Sequence, residues 1–148
     1  MPEKKTLQRA QQDKRQGKAP STQAGEFVKE EMDHVREGKH GARSAKQAIA
    51  IGLSKARRAG VKLPPPKNGS ERTRKQAERD DAKGSNPSSP VSKKRSQGVT
   101  SALKREGHAA ASHTALSRQA HSSAKKRGAA NRSQAAKKAA RTRARKSR

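Results

Sequence analysis

The clearest hydrophobic pattern in the chain lies between residues 44 and 59. Small and apolar residues recur there at i, i+3, i+4, i+7, i+8 and i+11, which is the spacing of one face of an α-helix. Ser44 and Gln47 stand at capping-box spacing, Gly60 suits the position after a helix end, and Pro64 forbids continuation. The pattern predicts an amphipathic helix that packs through Ala45, Ala48, Ile49, Gly52, Leu53 and Ala56.

A second helix is predicted upstream, starting near Pro20 and ending at Gly38. Its apolar side chains fall near one face, and the small residues at 48, 52 and 56 of the following helix would let the two backbones approach closely. We therefore expect a mostly α and partly disordered protein, built on a helical hairpin of about residues 21–60 with a small core. The upstream helix would contribute Phe27, Val28, Met32 and Val35 to that core.

The remaining segments show weaker patterns. Residues 1–20 are polar, with Leu7 the one large apolar side chain besides Met1, and are predicted to be nascent helix or disordered. Residues 21–66 are the hairpin and its Pro-rich stop. Residues 67–90 are predicted to form a charged helix, capped near Ser70, and a linker. Residues 91–148 form an Ala/Lys/Arg-rich polycationic tail, expected to be flexible and prone to helix.

Composition limits what this chain can bury. Hydrophobic residues make up 27% of the sequence, Phe27 is its one aromatic residue, and it has no cysteine. The hairpin alone is therefore expected to be marginal and to fold fully as a dimer or on its ligand. No apolar stretch is long enough for a secretory signal or a membrane span, so we expect neither export nor a membrane partner.

Charge gives the strongest indication of function. The net charge is +26, and residues 91–148 hold 17 lysines and arginines against one acid, Glu106. Such a polycation indicates a polyanionic partner, most often nucleic acid. Common single-strand and RNA-reading modules stack bases on Phe, Tyr or Trp. This chain has only Phe27, which the hairpin core should bury, so duplex DNA is favoured over RNA. Binding would be by phosphate contacts and largely independent of sequence.

The predicted binding residues are lysines and arginines on the basic face of the 44–59 helix and in the tail. Those of the tail should dominate, with the helix face secondary. The full set is Lys46, Lys55, Arg57, Arg58, Lys93, Lys94, Arg95, Lys125, Lys126, Arg127, Lys137, Lys138, Arg141, Arg143, Arg145 and Lys146.

No catalytic site is predicted, because nothing in the sequence supplies an apolar pocket, a phosphate-binding loop or a protected carboxylate pair. No cofactor is implied. The five histidines lack cysteine partners and a regular i, i+4 pair, so they are expected to be solvated and no metal site is predicted.

Residues 4–10, 17–28 and 35–66 resemble small basic bacterial proteins of unknown function, often labelled DNA-binding or plasmid-stabilisation-like. The resemblance implies a bacterial cytoplasm, and a DNA-binding role would place the protein at the nucleoid. The tail is similar in composition to those of linker histones and bacterial histone-like proteins.

The expected function is therefore histone-like compaction or bridging of bacterial DNA. One alternative is an RNA-binding or ribosome-associated protein. Another is a protein-interaction module in plasmid maintenance that docks the stripe of small residues on a partner, and a homodimer through the 44–59 helix is a further use of that stripe.

Overall fold

The computed structural model describes residues 1–86 and 90–146, and across these the chain is helical, without a strand. This confirms the mostly α class. Two compact units are present: the first is Met1–Ser112, and the second begins at His113. The helices are α1 (Lys4–Arg15), α2 (Pro20–Arg36), α3 (Ala45–Arg58), α4 (Glu71–Ser85), α5 (Lys93–Lys104), α6 (His113–Lys126) and α7 (Gly128–Lys146), with a 3-10 turn at Ala109–Ala111.

The signals that bound α3 act as the sequence predicts. The Ser44 Oγ accepts a hydrogen bond from the Gln47 amide at 3.2 Å, and Gln47 Oε1 accepts one from the Arg43 amide at 2.8 Å. The first bond satisfies an amide that the first turn of a helix leaves free, and the second fixes the residue before the N-cap. Gly60 adopts φ +90° just after the helix ends, a conformation that other residues rarely take.

Helices α2 and α3 pack against each other as the predicted hairpin. Phe27 and Val35 of α2 and Ala48 and Ala56 of α3 are completely buried. The main apolar cluster also draws on α1 and on the chain after α3, because so few large apolar residues are available. It contains Ala10, Ala24, Phe27, Ala56, Val61 and Leu63, with Leu7 and Leu53 packed against it.

The close approach of α2 and α3 depends on Gly52. A Cβ atom at this position would lie 2.7 Å from the Val28 Cα atom and 3.0 Å from its Cγ2 atom, so the backbones would have to separate. We expect Gly52→Ala to lower the free energy of unfolding by about 1–3 kcal/mol despite the better helix propensity of alanine. Urea unfolding followed by far-ultraviolet circular dichroism measures this.

Gly25 of α2 provides the matched control. It is also inside a helix, but a Cβ atom there would have nothing within 4 Å. Gly25→Ala should therefore stabilise the protein by about 0.5–1 kcal/mol through helix propensity. Equal stabilisation by both substitutions would show that α2 and α3 are not in close contact.

The N-terminal segment is more ordered than its sequence pattern suggested. Instead of nascent helix or disorder, residues 4–15 form α1, which packs on α2 and buries Ala10 in the core. Polar contacts hold both ends of α1. The Glu3 amide donates to Glu30 Oε2 at 3.0 Å, and Lys18 Nζ donates to Asp13 Oδ1 at 2.6 Å.

Helix α4 packs on α3, although its charged sequence suggested almost nothing to bury. Its Ala77 and Asp80 are buried, and Asp80 contacts α3. Gly84 allows the end of α4 to approach α3, because a Cβ atom there would lie 2.1 Å from the Arg57 carbonyl oxygen. The predicted linker is thus helical through Ser85, and its residues 87–89 lie outside the described part of the chain.

The tail was predicted to be flexible, but its described residues are largely helical, in α5, α6 and α7. The end of α5 and the segment after it dock on the loop after α2, within the first unit. Gly41 and Ala42 donate their amides to the carbonyl oxygens of Leu103 and Gly107, at 2.9 and 3.0 Å. Arg36 Nε donates to the Ala111 carbonyl oxygen at 3.0 Å. Residues 147–148 lie outside the described part of the chain.

The docking of this segment leaves no space at Gly41, where a Cβ atom would lie 1.9 Å from the Glu106 carbonyl oxygen. We expect Gly41→Ala to release residues 103–111 from the loop after α2, within the first unit. Hydrogen exchange should then accelerate at the Gly41 and Ala42 amides, and trypsin should cleave faster after Arg105. Gly107→Ala, where a Cβ atom would have nothing within 4 Å, should leave both rates as in the parent protein.

Candidate nucleic-acid interface

The predicted binding residues on α3 are mostly engaged within the protein. Lys55 Nζ lies 2.6 Å from Glu31 Oε2 and 3.4 Å from Glu30 Oε1, and its side chain is 22% exposed. Arg58 Nε donates to Asp80 Oδ1 at 2.7 Å. Arg57 is buried. Lys46 and Arg58 are both exposed, but within residues 1–86 and 90–146 only Arg58 of these two forms an ion pair.

Among the acids that face α3, Glu30 has a lowered pKa, which favours the ionised form that its pair with Lys55 requires. Burial alone would raise the pKa of Glu30, but hydrogen bonds from Thr6 and the Glu3 amide, and then the charge of Lys55, lower it overall. Asp80 is almost completely buried, and its carboxylate also accepts from Ser54 Oγ at 2.6 Å and Gln76 Nε2 at 3.1 Å. Lys55 and Arg58 therefore hold α2 and α4, respectively, against α3.

Pairing of this kind continues at the N-terminal edge of the first unit. Glu3 Oε1 lies 2.9 Å from His34 Nε2 and 3.1 Å from Lys39 Nζ, and these contacts lower the pKa of Glu3 to about 2. Glu37 and then Glu3 raise the pKa of Lys39. The acids of the first unit thus compensate part of its positive charge.

The second unit has no such compensation. From His113 to the end of the sequence there are 12 lysines and arginines and no aspartate or glutamate. In the described part of this unit, no ion pair is recorded. The predicted binding residues here are all exposed: Lys125, Lys126, Arg127, Lys137, Lys138, Arg141, Arg143, Arg145 and Lys146.

Helix α7 arranges part of this charge in a row. Lys137, Arg141 and Arg145 are spaced at i, i+4 and i+8, so they lie along one face about 6 Å apart in helix rise. Lys138 lies beside them. At 100° per residue, Arg143 and Lys146 fall on the opposite part of the surface. The row can follow a phosphate backbone while the other two extend the positive field around the helix.

Two further basic groups are exposed. Lys125, Lys126 and Arg127 stand at the end of α6, just before Gly128 turns the chain with φ +74°. Lys93, Lys94 and Arg95 occupy the first turn of α5 in the first unit. The structure thus places unpaired positive charge on both units.

The sequence suggested that His34 and His40 are solvated. In the structure their side chains are only 13% and 14% exposed. His40 comes from the loop after α2, and the fold brings it to Glu31 on that helix, with His40 Nε2 3.2 Å from Glu31 Oε1. The end of α2 lies between the two histidines, so their sequence spacing does not show that they are close in space. The spacing of Glu31 and His34 at i, i+3 on one helix was the available signal.

Comparison with known proteins identifies one similarity. Residues 16–68 match the sequence profile of a family of unknown function, DUF6496. The match covers α2, α3 and the Pro-rich stop, so it lies in the region where charges are paired, and it does not extend to the second unit. No curated protein and no solved structure matches the chain. In the described residues, no helix is both long enough and apolar enough to cross a membrane.

Proposed function

We propose that this protein is a non-enzymatic DNA-binding protein that contacts the phosphates of duplex DNA, largely independently of sequence, and compacts or bridges the duplex at the bacterial nucleoid. The observation that supports this most strongly is the set of 12 bases without an acid from His113 onward. Charges that have no partner within their own unit are available to an external polyanion.

Affinity in this proposal comes from the release of counterions when lysines and arginines neutralise phosphates. The second unit supplies most of these contacts, and the row on α7 follows one strand of the duplex. The triplet at Lys93, Lys94 and Arg95 gives the first unit a weaker contact of its own. Two basic surfaces on one chain would allow it to hold two duplex segments.

Duplex DNA is preferred in this proposal because the chain offers no exposed Phe, Tyr or Trp on which bases could stack. Phe27, its one aromatic residue, is completely buried in the core. Proteins that bind single strands gain about 1–3 kcal/mol per base from stacking on aromatic side chains. This chain would bind single strands without that contribution. Phosphate contacts alone favour a duplex over a single strand, because the duplex has the higher charge density.

We also propose that the tail is flexible before it binds. Its bases repel one another when no anion is present, and neutralisation by phosphates removes the repulsion that opposes helix. The alanine-rich sequence of α7 then favours helix in the complex.

The protein-interaction alternative is less well supported. Ala48 and Ala56 are completely buried, and Gly52 lies against Val28 of α2. A partner protein, or a second copy binding through the 44–59 helix, would therefore have to displace α2 to reach the stripe of small residues.

Competition binding tests the choice of partner. The full-length protein is bound to labelled duplex DNA, and unlabelled duplex DNA, single-stranded DNA and structured RNA of equal length are added as competitors. We expect duplex DNA to compete best and unrelated duplex sequences to compete equally. Stronger competition by structured RNA would move the function to RNA or the ribosome.

A further inference from the structure

Glu31, His34 and His40 lie together where α2 ends and the following loop begins. Each offers one ligand atom, and these atoms all lie within 4.8 Å of one another. His40 Nε2 and Glu31 Oε1 are 3.2 Å apart, close to the separation of about 3.3 Å between two ligands of a tetrahedral zinc ion. We propose that these three side chains form a binding site for a divalent transition-metal ion, and that zinc fits it best.

Glu31 has the environment expected of a metal ligand. Its side chain is completely buried, and neither carboxylate oxygen forms a hydrogen bond of good geometry. Buried carboxylates are usually hydrogen-bonded, so this one has unused acceptor capacity. Lys55 Nζ lies 2.6 Å from Oε2, which leaves Oε1 facing His40 for the ion.

Both imidazole rings are oriented by groups outside the cluster. His40 Nδ1 lies 3.0 Å from the Gly41 carbonyl oxygen. Since a carbonyl only accepts, Nδ1 carries the hydrogen, and in the neutral ring the lone pair is on Nε2, which faces Glu31. His34 is held by the Glu3 carboxylate at 2.9 Å. Metal-bound histidines usually have such outer partners, which fix the ring and its tautomer.

Charge around the site also favours a cation, although the whole chain is strongly basic. Three carboxylates, from Glu3, Glu30 and Glu31, face the ammonium groups of Lys39 and Lys55. Lys39 also pairs with Glu37 at 3.0 Å. Two imidazoles and one carboxylate suit zinc better than calcium or magnesium, which prefer oxygen ligands. Three protein ligands leave the fourth tetrahedral position to water.

Metal binding here would stabilise more than the cluster. It would join α2 to the loop that carries Gly41 and Ala42, whose amides hold the segment after α5. In a chain with so small an apolar core, such a cross-link would contribute to the order of the first unit.

Zinc titration of the full-length protein tests the proposal. The protein is freed of metal with a chelator and of nucleic acid with nuclease, then titrated with zinc chloride by calorimetry at neutral pH. We expect one zinc ion per chain, a higher melting temperature with zinc, and the visible absorption of a tetrahedral site when cobalt(II) is used instead.

Histidine variants locate the site. His34→Gln combined with His40→Gln should lower zinc affinity at least about 10-fold. The matched control, His113→Gln with His121→Gln, removes two histidines from the second unit and should bind zinc as the parent does. If the double variant at His34 and His40 loses helical structure, the zinc affinity of the single variant His34→Gln tests the proposal instead. The single variant keeps the contact between His40 and Glu31. No zinc binding, unchanged affinity in the site variant, or an equal loss in the control would overturn the proposal.

Discussion

Replacing Lys137, Lys138, Arg141 and Arg145 with glutamine is expected to weaken binding to duplex DNA by at least about 100-fold at about 0.15 M salt. These side chains form the row on α7 with Lys138 beside it, and in the described second unit no ion pair occupies them. Each phosphate contact contributes about 0.9 to the dependence of log affinity on log salt, so the slope should become shallower by about 3.6. Fluorescence anisotropy with a labelled duplex across a salt series measures both quantities.

A matched variant separates position from net charge. Lys14, Lys67, Arg72 and Arg74 are four exposed bases of the first unit, and none has a recorded ion pair within the described residues. Their replacement with glutamine removes the same amount of charge. This variant should lose much less affinity than the α7 variant. Equal losses would mean that net charge, and not the second unit, determines binding.

Replacing Lys55 with methionine is expected to destabilise the first unit by about 3 kcal/mol, while the affinity of the folded protein for duplex DNA stays unchanged. The substitution keeps the aliphatic stem but leaves the completely buried Glu31 with His40 as its remaining partner. The expected value is at the lower end for a broken buried pair, because the Lys55 side chain is still 22% exposed. Urea unfolding followed by circular dichroism gives the free energy.

Lys46 is the control on the same helix. It is exposed and unpaired in the described structure, so Lys46→Met should change stability by no more than about 0.5 kcal/mol. If Lys55→Met were as stable as the parent and bound DNA more weakly, Lys55 would belong to the DNA-binding surface and not to the interior.

Local signals in the sequence were enough to predict the hairpin. The capping bond of Ser44, the left-handed glycine at position 60 and the periodicity of α3 are all properties of neighbouring residues, and all are present in the structure. The small-residue stripe also predicted the correct neighbour, because close approach requires small side chains and α2 was the nearest helix along the chain.

Contacts between polar residues far apart in sequence could not be predicted in this way. Helices α1 and α4 have few apolar residues, so their hydrophobic pattern gave no reason to pack. Polar contacts to other helices supply that reason: Asp80 of α4 pairs with Arg58 of α3, and the Glu3 amide at the start of α1 donates to Glu30 of α2. A basic residue facing solvent and one facing a buried acid look identical in sequence, so the pairing of Lys55 with Glu31 and of Arg58 with Asp80 could not be predicted.

The salt dependence of duplex binding tests the proposed function most directly. The affinity of the full-length protein is measured for two duplexes of unrelated sequence over a range of salt concentrations. If about ten lysines and arginines neutralise phosphates, log affinity should fall with log salt at a slope near −9, equally for both duplexes. A slope shallower than about −3, or a marked preference for one duplex, would contradict binding through the phosphates.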